Sequence, residues 1–238
     1  MRSAILALLV VAAFVGCARH VPYVTRVGIL NPTSTMTVVL KDGNLNVYKP
    51  ADGEPEDEFT VAASALPGTN PAAPTIARAG NGIVVRAVDP LFGMLVRLPD
   101  RVDLVAQSEK GNINVTDVSG NITVHAGKGN VKIMVSGIAQ ASTGTGDVDV
   151  TMGATHWKGT LKFSADSGDV TVYLPETAKF HARLHTDDGT IFTDFGLRGT
   201  SQGSNETIDA PVNGGSHFGV DIESHRGTVR LLRLTPQA

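Results

Sequence analysis

The chain has 238 residues and a net charge of −3; 42% of its residues are hydrophobic, 18% charged and only 5% aromatic. That balance is too apolar for wholesale disorder, and a lone cysteine excludes both an internal disulfide framework and a zinc site built from several cysteines. The lack of a basic excess argues against a dedicated nucleic-acid binder, and confinement of the one long apolar run to the N-terminus excludes a multi-span membrane protein.

Met1-Arg2-Ser3 carries one basic side chain and is followed by the uncharged run Ala4 to Gly16, AILALLVVAAFVG. A helix of that length spans roughly 20 Å, short of the hydrocarbon core of about 30 Å. A charged start, a short apolar stretch and small residues at its end describe a secretory signal. Phe14-Val15-Gly16-Cys17 further resembles a bacterial lipobox, with a small residue directly before the cysteine and Phe14 where leucine is usual. The resemblance implies cleavage after Gly16 and acylation of Cys17, which becomes the first mature residue. Several acyl chains anchor a protein stably where a single one does not. The expected organisation is a lipoprotein signal peptide over 1–16, a lipid-anchored tether over 17–26 and one β-strand-repeat domain over 27–238. Ala18 after the cysteine resembles an outer-membrane sorting signal if the host is Gram-negative, so the expected location is the bacterial cell envelope.

Residues 27–48 predict two strands, Thr35 to Leu40 and Leu45 to Val47, turned at Asp42-Gly43. Residues 49–75 read as loop, because they hold the acidic cluster Glu54, Glu56, Asp57 and Glu58 and the turn-forming Leu66-Pro67-Gly68-Thr69-Asn70-Pro71. Strands resume at Ile83 to Val88 and Met94 to Leu98.

From residue 111 one signature recurs: glycine, a small polar residue, then apolar–polar–apolar. It appears as Gly111-Asn112-Ile113-Asn114-Val115, Gly120-Asn121-Ile122-Thr123-Val124, Gly129-Asn130-Val131-Lys132-Ile133, Gly146-Asp147-Val148-Asp149-Val150 and Gly168-Asp169-Val170-Thr171-Val172. Weaker copies begin at Gly43, Gly159, Gly189 and Gly227. Strict alternation places pairs such as Ile113/Val115 and Val131/Ile133 on one strand face. Gly-Asn and Gly-Asp supply the turns. Two units make a coil of about 18 to 22 residues, matching Gly111 to Gly129, Gly146 to Gly168 and Gly168 to Gly189. One coil cannot bury its apolar face alone, so coils must stack. The expected fold is all-β, a right-handed β-solenoid or β-helix-like stack, with an antiparallel β-sandwich as the alternative. Residues 196–216 read as a polar, glycine-rich insertion.

Three features together resemble the bacterial adhesin-like β-strand-repeat domain of unknown function, also called toastrack-like. They are the strand Val96-Arg97-Leu98-Pro99-Asp100-Arg101-Val102-Asp103-Leu104, the glycine repeats, and the closing pair His217 to Glu223 and His225 to Leu231. The resemblance covers roughly residues 28–235 and carries no catalytic residues with it.

The polar residues after the repeat glycines, Asn112, Asn121, Asn130, Asp147 and Asp169, suit a hydrogen-bonded ladder at the coil spacing of about 4.8 Å. Stacked aspartates at that spacing leave calcium conceivable, although the repeat is not the Gly-Gly-x-Gly-x-Asp calcium nonapeptide. Asp147 and Asp149 form a carboxylate pair without an apolar pocket to raise a pKa. His181 and His185 are about 13 Å apart on a strand, too far for one metal ion. Trp157 reads as a packing residue at a coil corner. No Gly-x-Ser-x-Gly turn or phosphate loop is present, and no motif implies a cofactor or a metal. The sequence therefore predicts a non-catalytic lipoprotein. Its partners are the membrane, through the lipid on Cys17, and a protein or glycan of the cell envelope. A polysaccharide-active β-helix enzyme and an envelope-stress sensing partner are the alternatives.

Overall fold

The computed structural model describes residues 22–215 and 217–234, and these contain strands and no helix. The chain begins with β1 (Pro22–Ile29), β2 (Thr35–Asp42), β3 (Asn44–Tyr48) and β4 (Glu58–Ser64). Next come β5 (Thr75–Ala79), β6 (Gly82–Ala87) and β7 (Gly93–Arg97). The central repeats give β8 (Asp103–Lys110), β9 (Ile113–Val118), β10 (Ile122–Lys128), β11 (Val131–Val135), β12 (Ala139–Thr145), β13 (Val148–Met152), β14 (Thr160–Ser167) and β15 (Val170–Pro175). The chain closes with β16 (Phe180–Asp188), β17 (Ile191–Thr193), β18 (Thr200–Gln202), β19 (Asn205–Val212), β20 (Gly219–Arg226) and β21 (Val229–Leu234).

The strands form two sheets of 10 and 11 strands, and each coil contributes one strand to each sheet. Successive central coils pair in parallel, as in Val131↔Ile113 and Ile122↔Leu104. Parallel pairing of this kind requires a crossover for every strand, which a solenoid supplies and a meander sandwich does not. The core is built of in-register columns. One runs Val85–Val38–Ala106–Val124–Ala141–Phe163–Ile222–Leu184–Ile208 through the larger sheet. Another runs Val61–Val96–Val47–Val115–Ile133–Val150–Val172–Leu231 through the smaller one. Every member of both columns is buried. Small and β-branched side chains, which suit a pleated and buried sheet face, dominate both columns, with Phe163 the one aromatic among them.

At the corner from the larger to the smaller sheet stands a glycine column: Gly43, Gly111, Gly129, Gly146, Gly168, Gly227 and Gly189. The first six have φ between 127° and 151°, and a Cβ on any of the six after Gly43 would lie under 3.0 Å from the carbonyl of the preceding glycine. The column thus needs glycine for both torsion and space.

Four expectations change. Strand β4 lies inside the span read as loop over 49–75: Phe59, Val61 and Ala63 alternate toward the core beside the acidic cluster that masked them. Strand β1 starts at Pro22, within the expected tether 17–26, because Val24 to Ile29 pair antiparallel with Glu58 to Ala63. The insertion over 196–216 contains the antiparallel pair β18–β19. Most consequentially, the coil of Gly189 does not stack on that of Gly168. The last coil, β20–β21, lies between them: Val170 pairs with Val229, which pairs with Ile191. The other end mirrors this, since β2–β3 lies between β6–β7 and β8–β9. Antiparallel strands flank both ends, β5 and β4–β1 at one and β19–β18 at the other.

Candidate functional site

Cys17 and Gly16, the lipid-attachment and cleavage positions expected from the sequence, lie outside the described residues. The polar residues of the repeats lie inside and form a ladder along the glycine corner. The Oδ1 of each accepts the backbone N–H of the next: Asn44 from Asn112 at 3.0 Å, Asn112 from Asn130 at 2.8 Å, and Asn130 from Asp147 at 2.9 Å. Asp147 then accepts from Asp169 at 2.9 Å, and Asp169 from Thr228 at 2.8 Å. Either Asn or Asp fits, because only an acceptor is required. Arg230 donates to the other oxygen of Asp169 at 2.8 Å, so the end of the carboxylate pair is neutralised by a side chain. Partial burial pushes the Asp169 carboxyl up, but the Thr228 N–H and the Arg230 guanidinium outweigh it and hold the group below its usual 3.8. Asn121 continues a separate corner, its N–H donating to Asp103 at 2.8 Å.

The carboxylate pair of the sequence is divided between two tasks: Asp147 stands in the ladder, and Asp149 stands on the outer face in register with Lys132 and Thr171. Trp157 is buried, its indole N–H donates to the Gly219 carbonyl at 3.0 Å, and its ring packs on Phe180 and Phe218.

The densest group of titratable side chains is on the outer face of the larger sheet at its C-terminal end. Alternation along β16 turns His181, Arg183, His185 and Asp187 to this face, and β20 brings Asp221 and Glu223 beside them. His181 is hydrogen-bonded to Asp209 of β19, which holds that carboxyl below the usual value, and Arg183 adds to the effect. His185 donates Nε2–H to Asp187 at 3.0 Å, and His225 donates Nδ1–H to the other oxygen of Asp187 at 2.8 Å. A shallow groove of about 190 Å³ lies alongside, between Thr160, His181, Arg183, His217 and Phe218. Gly219 and Val220 complete its lining. A second open depression of about 350 Å³ lies near Gln107, His125 and Lys128. Among the described residues no three His, Cys, Asp or Glu side chains are placed to hold a metal ion.

The sequence weighed His181 with His185; the structure instead joins His185 to His225 through Asp187. The spacing of His181 and His185 was visible, but the adjacency of β16 and β20 arises from insertion of the last coil, which no spacing records.

The two outer faces differ. Among the described residues, every large apolar side chain that is exposed from a strand, Val27, Ile29, Tyr48, Leu95, Met134 and Phe192, belongs to the smaller sheet. The larger sheet presents mainly Thr, Ser, Gln, His and charged residues, with Val39, Val84 and Val105 half-exposed among them.

A stack of two-strand coils with a glycine corner and a backbone-directed Asn/Asp ladder defines a β-solenoid class of repeat protein. The chain belongs to the Toastrack DUF4097 family, whose model matches residues 102–232, more than half of the sequence. No curated protein matches the chain. Among solved structures it is similar to a putative cell adhesion protein from Clostridium sporogenes, at 12% identity and a TM-score of 0.49, covering 88% of this chain and 99% of that one. It is also similar to a putative adhesin from Bacteroides fragilis, at 10% identity and a TM-score of 0.32, covering 89% and 96%.

Proposed function

We propose that the protein is a non-catalytic lipoprotein of the bacterial cell envelope, anchored through acylated Cys17, whose solenoid is a rigid binding module for a protein or glycan of the envelope. The observation that carries the binding role is the pair of long, regular outer faces of unlike chemistry. Side chains held about 4.8 Å apart along each face recur with the period of the stack, which suits an extended partner better than a small substrate. The lone cysteine after a small residue supports the anchor. In Gram-negative bacteria the reading places the protein at the outer membrane.

Two experiments test the halves separately. Metabolic palmitate labelling is expected in wild type and lost in Cys17→Ala; unlabelled wild type in a lipidation-competent host refutes the anchor. In-cell photo-crosslinking from Met134 on one face and from Thr123 on the other is expected to capture a specific envelope component from at least one face. Equal, indiscriminate capture from both refutes the binding module.

A further inference from the structure

We propose that Asp187, held between His185 and His225, is a pH-sensitive clasp that fastens the chain's last coil to the coil lying outside it. The three residues come from two strands that are far apart in sequence. His185 and Asp187 end β16, while His225 ends β20, and the strands run parallel with Thr186 opposite Ser224 and Asp188 opposite Arg226. Both oxygens of Asp187 are used, at 3.0 Å by His185 and at 2.8 Å by His225. The β18–β19 turn joins the same residue. Ser204 donates its hydroxyl to the Asp187 carbonyl at 3.0 Å, and the Asn205 amide reaches Oδ1 at 3.4 Å. One residue, through its carboxylate and its carbonyl, therefore connects the inserted coil, the terminal coil and the capping hairpin.

The neighbouring charges favour an imidazolium at His225. On its own strand Glu223 is 3.8 Å from Nδ1, and Arg226 follows. From β14, Asp166 adds its field. From β16 come Asp187 itself, Asp188 and His185. On β19, Glu206 is engaged by the Ile191 N–H at 2.8 Å. The hydrogen bond to Asp187 raises the His225 pKa above its usual 6.5 against some desolvation, and the Glu223, Asp187 and Asp166 charges assist. Reciprocally, the bonds from His225 and then His185 hold the Asp187 carboxyl below its usual 3.8.

These directions set the window. A raised imidazole contributes stability that is complete below pH 6.5 and is lost as pH rises through the folded value. A lowered carboxyl contributes stability that is complete above 3.8 and is lost as pH falls through the folded value. The clasp is therefore tightest between these limits and loosens in alkali.

The test is amide hydrogen exchange on the full chain in detergent at pH 5.5 and 8.5, corrected for intrinsic exchange, with β9–β11 as internal reference. Protection of β16 and β19 relative to that reference is expected to fall about threefold or more at the higher pH. The fall is expected to vanish in His225→Gln, whose side chain does not titrate. Equal relative protection at both pH values in wild type, or the same fall in the variant, overturns the proposal. Should the variant fail to fold, NMR titration of His225 in wild type decides: a midpoint above 6.5 supports the clasp and one at or below 6.5 overturns it.

Discussion

Gly129→Ala places a methyl group inside the glycine column and separates two costs that the column combines. The first is torsional. Gly129 has φ of 144°, a region nearly closed to L-residues, which costs on the order of 1–3 kcal/mol. The second is steric. The new Cβ lies under 3.0 Å from the carbonyl of Gly111 and 3.1 Å from the Asn112 nitrogen, all backbone atoms of the coil below. No rotamer relieves such a contact. Two coils must part, and by analogy with overpacking this costs about 1–3 kcal/mol more. The total is about 2–6 kcal/mol, a large share of the 5–15 kcal/mol that holds a typical domain folded. Gly159→Ala is the control. Gly159 has φ of 72°, but nothing lies within 4 Å of its Cβ position, so only a torsional cost of about 1–2 kcal/mol remains. Urea unfolding followed by far-UV circular dichroism measures both midpoints. A Gly129→Ala variant no less stable than Gly159→Ala would refute the close-approach argument.

Other outcomes follow from the ladder and the core. Asn130→Ala removes the acceptor of the Asp147 N–H and is expected to cost about 0.5–1.5 kcal/mol in urea unfolding, while Asn130→Asp keeps the acceptor and becomes more stable with added salt as the stacked carboxylates are screened. Replacing Arg230 by Met removes one of the two groups that hold Asp169 below 3.8. Since a lowered carboxyl stabilises above its unfolded value and loses that contribution in acid, the variant should show a smaller difference in stability between pH 6 and pH 3 than wild type; an unchanged difference contradicts the pairing. Trp157→Ala should destabilise by about 3–5 kcal/mol, and the sole tryptophan of wild type should emit as a buried indole that shifts red on unfolding.

The middle of the fold was legible because its coils are sequential and nearly equal in length. Gly111, Gly129, Gly146 and Gly168 recur at the spacing of physical neighbours, and the residues after them prove to be the ladder. The ends were less legible for two reasons. At β4, Glu58 and the acids before it dominate the composition, although Phe59, Val61 and Ala63 still alternate toward the core. At the other end, the distance from Gly168 to Gly189 fits a coil, yet Gly227 lies between them in space. Sequence spacing measures chain length between strands, and it is silent on which edge a strand finally joins. The His185–Asp187–His225 group depends on that choice, which is why sequence spacing paired His185 with His181 and missed the unit it forms with His225.

The insertion of the last coil also bears on how the chain is made. Synthesis delivers β16, β17 and the hairpin β18–β19 before the surface on which they rest exists. Until residue 219 and those beyond it arrive, β14 and β15 present open parallel edges, and the terminal coil has no bed. Such edges are the features that invite mispairing and aggregation. A chain truncated before Gly219 therefore lacks an interior layer rather than an edge, and leaves two incomplete pieces for proteases to find. The C-terminal half of the core is closed only once β20–β21 has been made, although most of its surrounding strands precede it in the chain.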